Sequence, residues 1–198
     1  MKKKIAILGS TGSIGKSLLE IIKKDKKNFE VVLLTAKNNE TELINQAKLF
    51  KVKNLIITNQ KSFKNLSRKK INYNKLRIFN NYDSIEKIFK GKQIHYVMNS
   101  ISGIEGLKPT LEIIKYTKKI AIANKESIIC GWNLISRKLK FFDTEFIPID
   151  SEHFSINELI KKLNKKNIEK IYITASGGPF LKNKISSFKN IKVKNAIN

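Results

Sequence analysis

"KKIAILGSTGSIGKSLLEIIKKD", residues 3–25, decides the fold. Residues 5–8 form an apolar run of strand length, and Ile14, Leu18, Leu19, Ile21 and Ile22 follow at helical spacing. Between them lies "GSTGSIG", residues 9–15, a G-x-x-G-x-x-G turn that leads directly from strand into helix. Glycines there permit tight backbone dihedrals and close approach to a pyrophosphate. The helix N-terminus adds free N–H groups and a favourable dipole. Thr11 and Ser13 contribute hydroxyls. A glycine turn can also serve only to pack helix on strand, but its position at the first strand-to-helix turn favours a nucleotide.

Outward from this unit the pattern repeats. "FEVVLLTA" (29–36) is apolar without alternation, as a parallel strand covered on both faces should be. "TELINQAKLF" (41–50) places Leu43, Ile44, Ala47 and Phe50 on one helical stripe. Strands are expected at "NLIITN" (54–59), near "LRIFN" (76–80), at "HYVMNSI" (95–101) and at "KIAIAN" (119–124). Helices are expected at "SIEKIFK" (84–90) and "LKPTLEIIKYT" (107–117). This alternation predicts an α/β fold, a doubly wound Rossmann-like parallel sheet. Around Pro148 the character changes. "FIPIDSEH" (146–153) leads to a helix at "SINELIKKL" (155–163) and a strand at "KIYITASGGPF" (170–180). We therefore expect a nucleotide-binding domain over 1–147 and the incomplete start of a second, α+β domain over 148–198.

The end of the second strand selects the nucleotide. An NAD site places Asp or Glu there for the ribose 2′-hydroxyl. This chain has Lys37, Asn38 and Asn39 and no acid before Glu40, a set that suits the 2′-phosphate of NADPH.

Composition narrows the class. Hydrophobic residues make up 41%, as in a globular chain. Cys130 is the lone cysteine, so no intrachain disulfide forms and a reducing compartment, the cytoplasm, is expected. No run of about 18 apolar residues occurs, which argues against a spanning helix, and "MKKKIAILGS" reads as a first strand, not a signal peptide. Forty basic residues against 16 acidic ones leave a formal charge of +24 and raise the alternative of a nucleic-acid-binding protein. The lysines are dispersed and travel with Ile and Asn, which share A/T-rich codons. Genome composition is a sufficient cause, and neither a nucleic-acid partner nor a membrane is expected.

Four stretches, "GSTGSIG", "ANKES" (123–127), "PIDSEH" (148–153) and "TASGGPF" (174–180), resemble in order and spacing the 1-deoxy-D-xylulose 5-phosphate reductoisomerases. "GIEGLKPTLEIIK" (103–115) is similar too. The resemblance covers essentially the whole chain. It implies rearrangement and NADPH-dependent reduction of 1-deoxy-D-xylulose 5-phosphate to 2-C-methyl-D-erythritol 4-phosphate, a step of isoprenoid biosynthesis, by a metal-dependent homodimer. Thr11, Gly12, Ser13 and Ile14 match the family's pyrophosphate turn. Lys37, Asn38 and Asn39 fall on its second cofactor loop, with Lys-Asn-Asn where the family has Gly-Lys-Asn. Asn124 and Glu126 match cofactor contacts, and Lys125 matches a catalytic substrate contact. Asp150 and Glu152 match metal ligands, Ser151 and Glu152 touch substrate, and Ser176 matches a phosphate contact. The family's lid, a further metal-binding Glu and a helical C-terminal domain find no counterpart. The chain therefore reads as roughly the N-terminal half of such an enzyme, expected to be catalytically silent alone. A generic NADP-dependent dehydrogenase is the competing enzyme, which the paired acids and "SGGPF" argue against.

The paired acids have their own chemistry. On an extended segment, residues two apart project to one side, about 6.5–7 Å apart. Asp150 and Glu152 could then converge on Mg²⁺ or Mn²⁺ (or Co²⁺), whose hard charge suits carboxylate oxygens. Solvated loop acids are the plainer alternative. His153 is expected to support a ligand carboxylate, His95 to be structural, and Cys130, in the apolar run "SIICGW", to be a buried, inert thiol.

Overall fold

The computed structural model describes residues 1–68, 76–161, 163–172 and 178–197. Ser176 lies outside them, and of Ser151 only the backbone is described. The apolar run becomes β1 (Lys3–Leu8), with Ile5 to Leu8 all buried. After the glycine turn comes α1 (Ser13–Lys24), which buries Gly15, Leu19 and Ile22. Then follow β2 (Phe29–Ala36), α2 (Glu40–Phe50), β3 (Asn54–Ile57), α3 (Gln60–Arg68), β4 (Arg77–Phe79) and α4 (Ser84–Phe89). The second half of the sheet adds β5 (Tyr96–Asn99), α5 (Leu107–Ile113), β6 (Lys119–Ile122), α6 (Lys125–Phe141) and β7 (Glu145–Pro148).

The seven strands run in the order β4-β3-β2-β1-β5-β6-β7, and every pairing is parallel. The doubly wound α/β expectation is met. The central strands are apolar on both faces because helices cover both faces. One face packs Ile5, Ile7, Leu19, Ile22, Leu34 and Leu43. The other packs Ala6, Leu8, Ile85, Val97, Ile113 and Ile120. The order reverses between β1 and β5, and the carboxyl ends of those two strands are where an open α/β sheet leaves a crevice.

Two elements had no clear signature. The buried stripe of α6 is Ser127, Gly131, Ile135 and Leu139, two of them small residues, while Ile129 and Leu134 are exposed. Core positions that carry Ser and Gly blur the helical period. The same geometry corrects the reading of Cys130: it lies off the stripe and is exposed. β7 is a four-residue edge strand ending at Pro148, a place where a missing N–H does no harm.

The chain divides into two compact units, Met1–Phe154 and Ser155–Asn198. Helix α7 (Ser151–Ile160) begins four residues earlier than expected. Asp150 is the reason. Its carboxylate accepts the His153 backbone N–H at 3.0 Å and its carbonyl accepts that of Phe154 at 2.9 Å, which makes it the N-cap. Glu152 adds favourable charge to the first turn. The second unit contains short 3-10 turns at Lys165–Asn167, Gly178–Phe180 and Ile185–Asn190, and α8 (Val193–Ile197). The strand expected over 170–180 is not found in its described part. Residues 170–172 pair with no strand, Pro179 sits in a 3-10 turn, and 173–177 lie outside the described residues. No described residue of this unit is buried.

Candidate functional site

The glycine turn is tied to the strands on both sides of it. The Gly9 N–H donates to the Thr35 hydroxyl at 2.9 Å and the Ser10 N–H to the Thr35 carbonyl at 2.9 Å, which anchors the turn to the end of β2. The Ser100 hydroxyl donates to the carbonyls of Leu8 at 2.8 Å and Gly9 at 3.0 Å, which anchors it to the end of β5. Gly9 has φ +80°, and a Cβ there would lie 2.9 Å from the Ser100 carbonyl oxygen. A Cβ on Gly15 would lie 2.5 Å from the Gly9 carbonyl oxygen, so that glycine lets α1 close on the turn.

Gly12 plays a different part. It occupies the N-cap of α1 in extended conformation with no side-chain cap, and the first turn of the helix holds no acid. The leading N–H groups of α1 are thus left for an external acceptor. The turn opens into a cleft of about 950 Å³ lined by Gly9, Thr11, Gly12, Thr35, Tyr82 and Ser100, among others. Its volume and its place at the strand-order reversal suit a dinucleotide. Burial raises the pKa of the Tyr82 phenol, its interaction with Thr35 works the other way, and the charge of Glu105 adds to the rise. Tyr82 therefore remains a neutral hydroxyl in the cleft.

Thr11, Gly12 and Lys37 line this cleft, and Ser13 and Ile14 begin the helix beside it. Lys37 is engaged: its ammonium lies 2.7 and 3.0 Å from the two carboxylate oxygens of Glu105. Asn38 accepts the Ser62 hydroxyl on its carbonyl at 2.8 Å, and Asn39 caps α2 by accepting the Glu42 N–H at 3.1 Å.

Asn124 is 3% exposed, and both ends of its amide are engaged. It accepts the Ser127 N–H at 2.5 Å as the N-cap of α6 and donates to the carbonyls of Ile101 and Gly103. Its side chain therefore holds the loop that forms one wall of the cleft. Asn124→Ala removes a cap and takes a donor from the part-buried carbonyls of Ile101 and Gly103, at a cost of about 1–3 kcal/mol in stability. A chemical denaturation midpoint unchanged by that substitution would contradict the assignment.

Lys125 and Glu126 are exposed on the first turn of α6. The positive charge of Lys125 reaches Asp150. Partial desolvation pushes the Asp150 carboxyl up. The hydrogen bonds from the backbone and ring of His153, with the charges of His153 and Lys125, outweigh it and hold the carboxyl below its ordinary range. His153 Nδ1 lies 2.6 Å from Asp150 Oδ1, the supporting contact expected of it. His95 is structural as expected, with Nδ1 accepting the Lys4 N–H at 3.0 Å.

The extended geometry expected for Asp150 and Glu152 does not occur. They sit at the cap and in the first turn of α7, and positions two apart on a helix do not face each other. Among the described residues no group of three or more His, Cys, Asp or Glu side chains could hold a metal ion.

The residues that sequence reasoning missed come from the β5 side: Asn99, Ser100 and the segment Ile101 to Glu105. Their signal was the rule that the strand across the order reversal also contributes a loop. Gly103, at φ +74°, marks the bend of that loop.

A family model described as 1-deoxy-D-xylulose 5-phosphate reductoisomerase matches residues 5–131, and the model of that family's C-terminal domain matches residues 146–198. A reductoisomerase of this name from Pelagibacter ubique is 59% identical over 196 residues, covering 98% of this chain and 50% of the relative. One from Thermodesulfovibrio yellowstonii is 39% identical, covering 99% of this chain and 51% of the relative. The chain thus spans about half the length of the curated relatives it matches. Among solved structures, the Zymomonas mobilis enzyme in complex with NADPH superposes with a TM-score of 0.80 at 30% identity, over 94% of this chain and 49% of that one. Another, in complex with NADPH, fosmidomycin and magnesium, superposes with a TM-score of 0.75 at 29% identity, over 99% of this chain and 50% of that one.

Proposed function

Because this chain belongs to the 1-deoxy-D-xylulose 5-phosphate reductoisomerase family, we propose that it supplies the nucleotide-binding part of an enzyme that converts 1-deoxy-D-xylulose 5-phosphate to 2-C-methyl-D-erythritol 4-phosphate. The observation that carries the reading is the glycine turn. Its helix N-terminus lies uncapped and acid-free beside a cleft at the strand-order reversal. The pyrophosphate of NADPH is held by the N–H groups at the start of α1, with Thr11 and Ser13 at hand, and the ribose end meets Lys37, Asn38 and Asn39. Asn124 contributes by holding the wall of the cleft, and Glu126 lies on the same helix turn. Bound NADPH supplies the hydride for the reduction.

Residues 148–198 begin the catalytic and metal-binding domain. Asp150, at the cap of α7, and Glu152, in its first turn, would each offer a carboxylate toward Mg²⁺ or Mn²⁺; because they do not face each other in this helix turn, the segment would have to rearrange for both to reach one ion, and at least one further ligand would come from elsewhere in the enzyme. A metal held there would supply Lewis-acid polarisation of substrate oxygens. Lys125, Ser151 and Ser176 contact substrate. The enzyme works as a homodimer in the cytoplasm; among the described residues no helix is long and apolar enough to cross a membrane.

Titration of the 198-residue chain with each nucleotide by calorimetry tests the cofactor reading. NADPH is expected to bind at least tenfold more tightly than NADH, since the end of β2 offers a cation and amides to a 2′-phosphate. Equal affinities would refute the preference.

A further inference from the structure

The Lys37–Glu105 bridge spans the mouth of the cleft, and its position, more than its strength, gives it consequence. Exposed pairs of this kind contribute little to stability. Both side chains are more than half exposed, at 60% and 58%. Yet Lys37 directly follows β2, where a dinucleotide's adenosine ribose is read, and Glu105 comes from the opposite wall, 68 residues on.

Glu105 is presented by a buttressed segment. It lies in the 3-10 turn Ile104–Gly106. Behind that turn the buried Asn99 amide donates to the Gly106 carbonyl at 3.0 Å, and the Asn124 amide donates to the carbonyls of Ile101 and Gly103. A Cβ on Gly106 would fall 2.6 Å from the Asn124 amide nitrogen, so the wall packs directly on its support. In a chain with 40 basic and 16 acidic residues, most of the surface offers no carboxylate. Here one is held against the single cation that follows β2.

From this arrangement we infer that Glu105 sets the balance between NADPH and NADH, acting against the 2′-phosphate. The inference rests on the nucleotide reading of the cleft. NAD sites carry an acid at the end of the second strand, which accepts from the ribose 2′-hydroxyl. This chain lacks that acid in sequence but brings a carboxylate to the same place from the loop after β5. NADH leaves the bridge closed or uses Glu105 as a hydroxyl acceptor. A 2′-phosphate must take Lys37 from Glu105 and then remain within a Debye length of the displaced carboxylate. Glu105 therefore penalises NADPH and not NADH, while Lys37 favours NADPH.

The test is calorimetric titration of the 198-residue chain, Glu105→Gln and Lys37→Ala, singly and combined, with NADPH and NADH. Glu105→Gln is expected to tighten NADPH binding about three- to tenfold and leave NADH unchanged or weaker. The gain shrinks at high salt and in the Lys37→Ala background. Glu105→Asp retains the charge on a shorter side chain and is expected to shift the ratio less than Glu105→Gln. Thermal midpoints matching the unsubstituted chain exclude a folding cause. An unchanged or lowered NADPH-to-NADH affinity ratio in Glu105→Gln overturns the role of Glu105 while leaving the nucleotide site intact. If the unsubstituted chain binds neither nucleotide, the nucleotide reading falls and the inference with it.

Discussion

Asp150→Asn is expected to lower turnover by roughly a thousandfold at limiting metal, in an enzyme assembled by joining these 198 residues to the remaining half of a full-length relative. The loss corresponds to several kcal/mol of transition-state charge stabilisation by one anionic ligand. The substitution is informative because it separates the metal role proposed for Asp150 from the one it plays in the fold. As the N-cap of α7 it accepts the His153 N–H at 3.0 Å, and asparagine caps about as well as aspartate. The helix is therefore retained and only the charge is removed. Glu152→Gln should cost a similar factor, and Ser151→Ala much less, since a hydroxyl contributes about 1 kcal/mol and no charge. NADPH affinity should stay within about twofold in all three, because a carboxylate that neutralises a dication has no role toward the cofactor phosphates. Metal titration of turnover, with NADPH affinity measured alongside, separates the two. Wild-type turnover of both acid variants at low metal would make Asp150 and Glu152 ordinary surface carboxylates.

Gly12→Asp should weaken NADPH binding at least a hundredfold while the protein stays folded or gains stability. The two effects have one cause. A Cβ on Gly12 meets nothing nearer than the Gly9 carbonyl oxygen at 3.4 Å, an ordinary contact. The aspartate can therefore be built, and at the N-cap of α1 it would accept the same N–H groups that await the pyrophosphate. A good cap is here a poor site, because cap and ligand compete for the same donors and the carboxylate repels the phosphates. Gly15→Ala provides the contrast. Its Cβ would lie 2.5 Å from backbone, so it should unfold the turn instead of blocking it. Calorimetry and thermal denaturation of the two variants should give opposite patterns. NADPH affinity that survives in a folded Gly12→Asp protein would refute the pyrophosphate site.

The division between what was legible in the chain and what was not follows the range of the interactions. Residues 3–25 specify a strand, a glycine turn and a helix through local sterics and periodicity, and the unalternating runs of β1 and β2 announce a sheet covered on both faces. These are short-range rules, and the parallel doubly wound sheet follows from them. The positions of Thr11, Gly12 and Lys37 beside one cleft follow as well, because a strand-turn-helix unit places its own turn at the carboxyl edge of the sheet. Three things were settled only in three dimensions. Lys37 reads in sequence as an available cation, yet it meets Glu105 across the cleft. Asn124 reads as a cofactor contact, and only the fold shows that its amide also holds the carbonyls of Ile101 and Gly103. Cys130 reads as buried, yet helix α6 turns it to solvent. The first two depend on which partner a side chain meets, and local pattern carries no information about a partner dozens of residues away; the third depends on which face of α6 is buried, a period that the small core residues Ser127 and Gly131 blur. The sequence by itself determined the sheet, its winding and the turn at its centre, because backbone sterics and hydrophobic period act within a few residues. Tertiary structure decided the ion pair at the cleft mouth and the support behind it, because hydrogen bonds and ion pairs form between whichever groups the fold brings within about 3 Å.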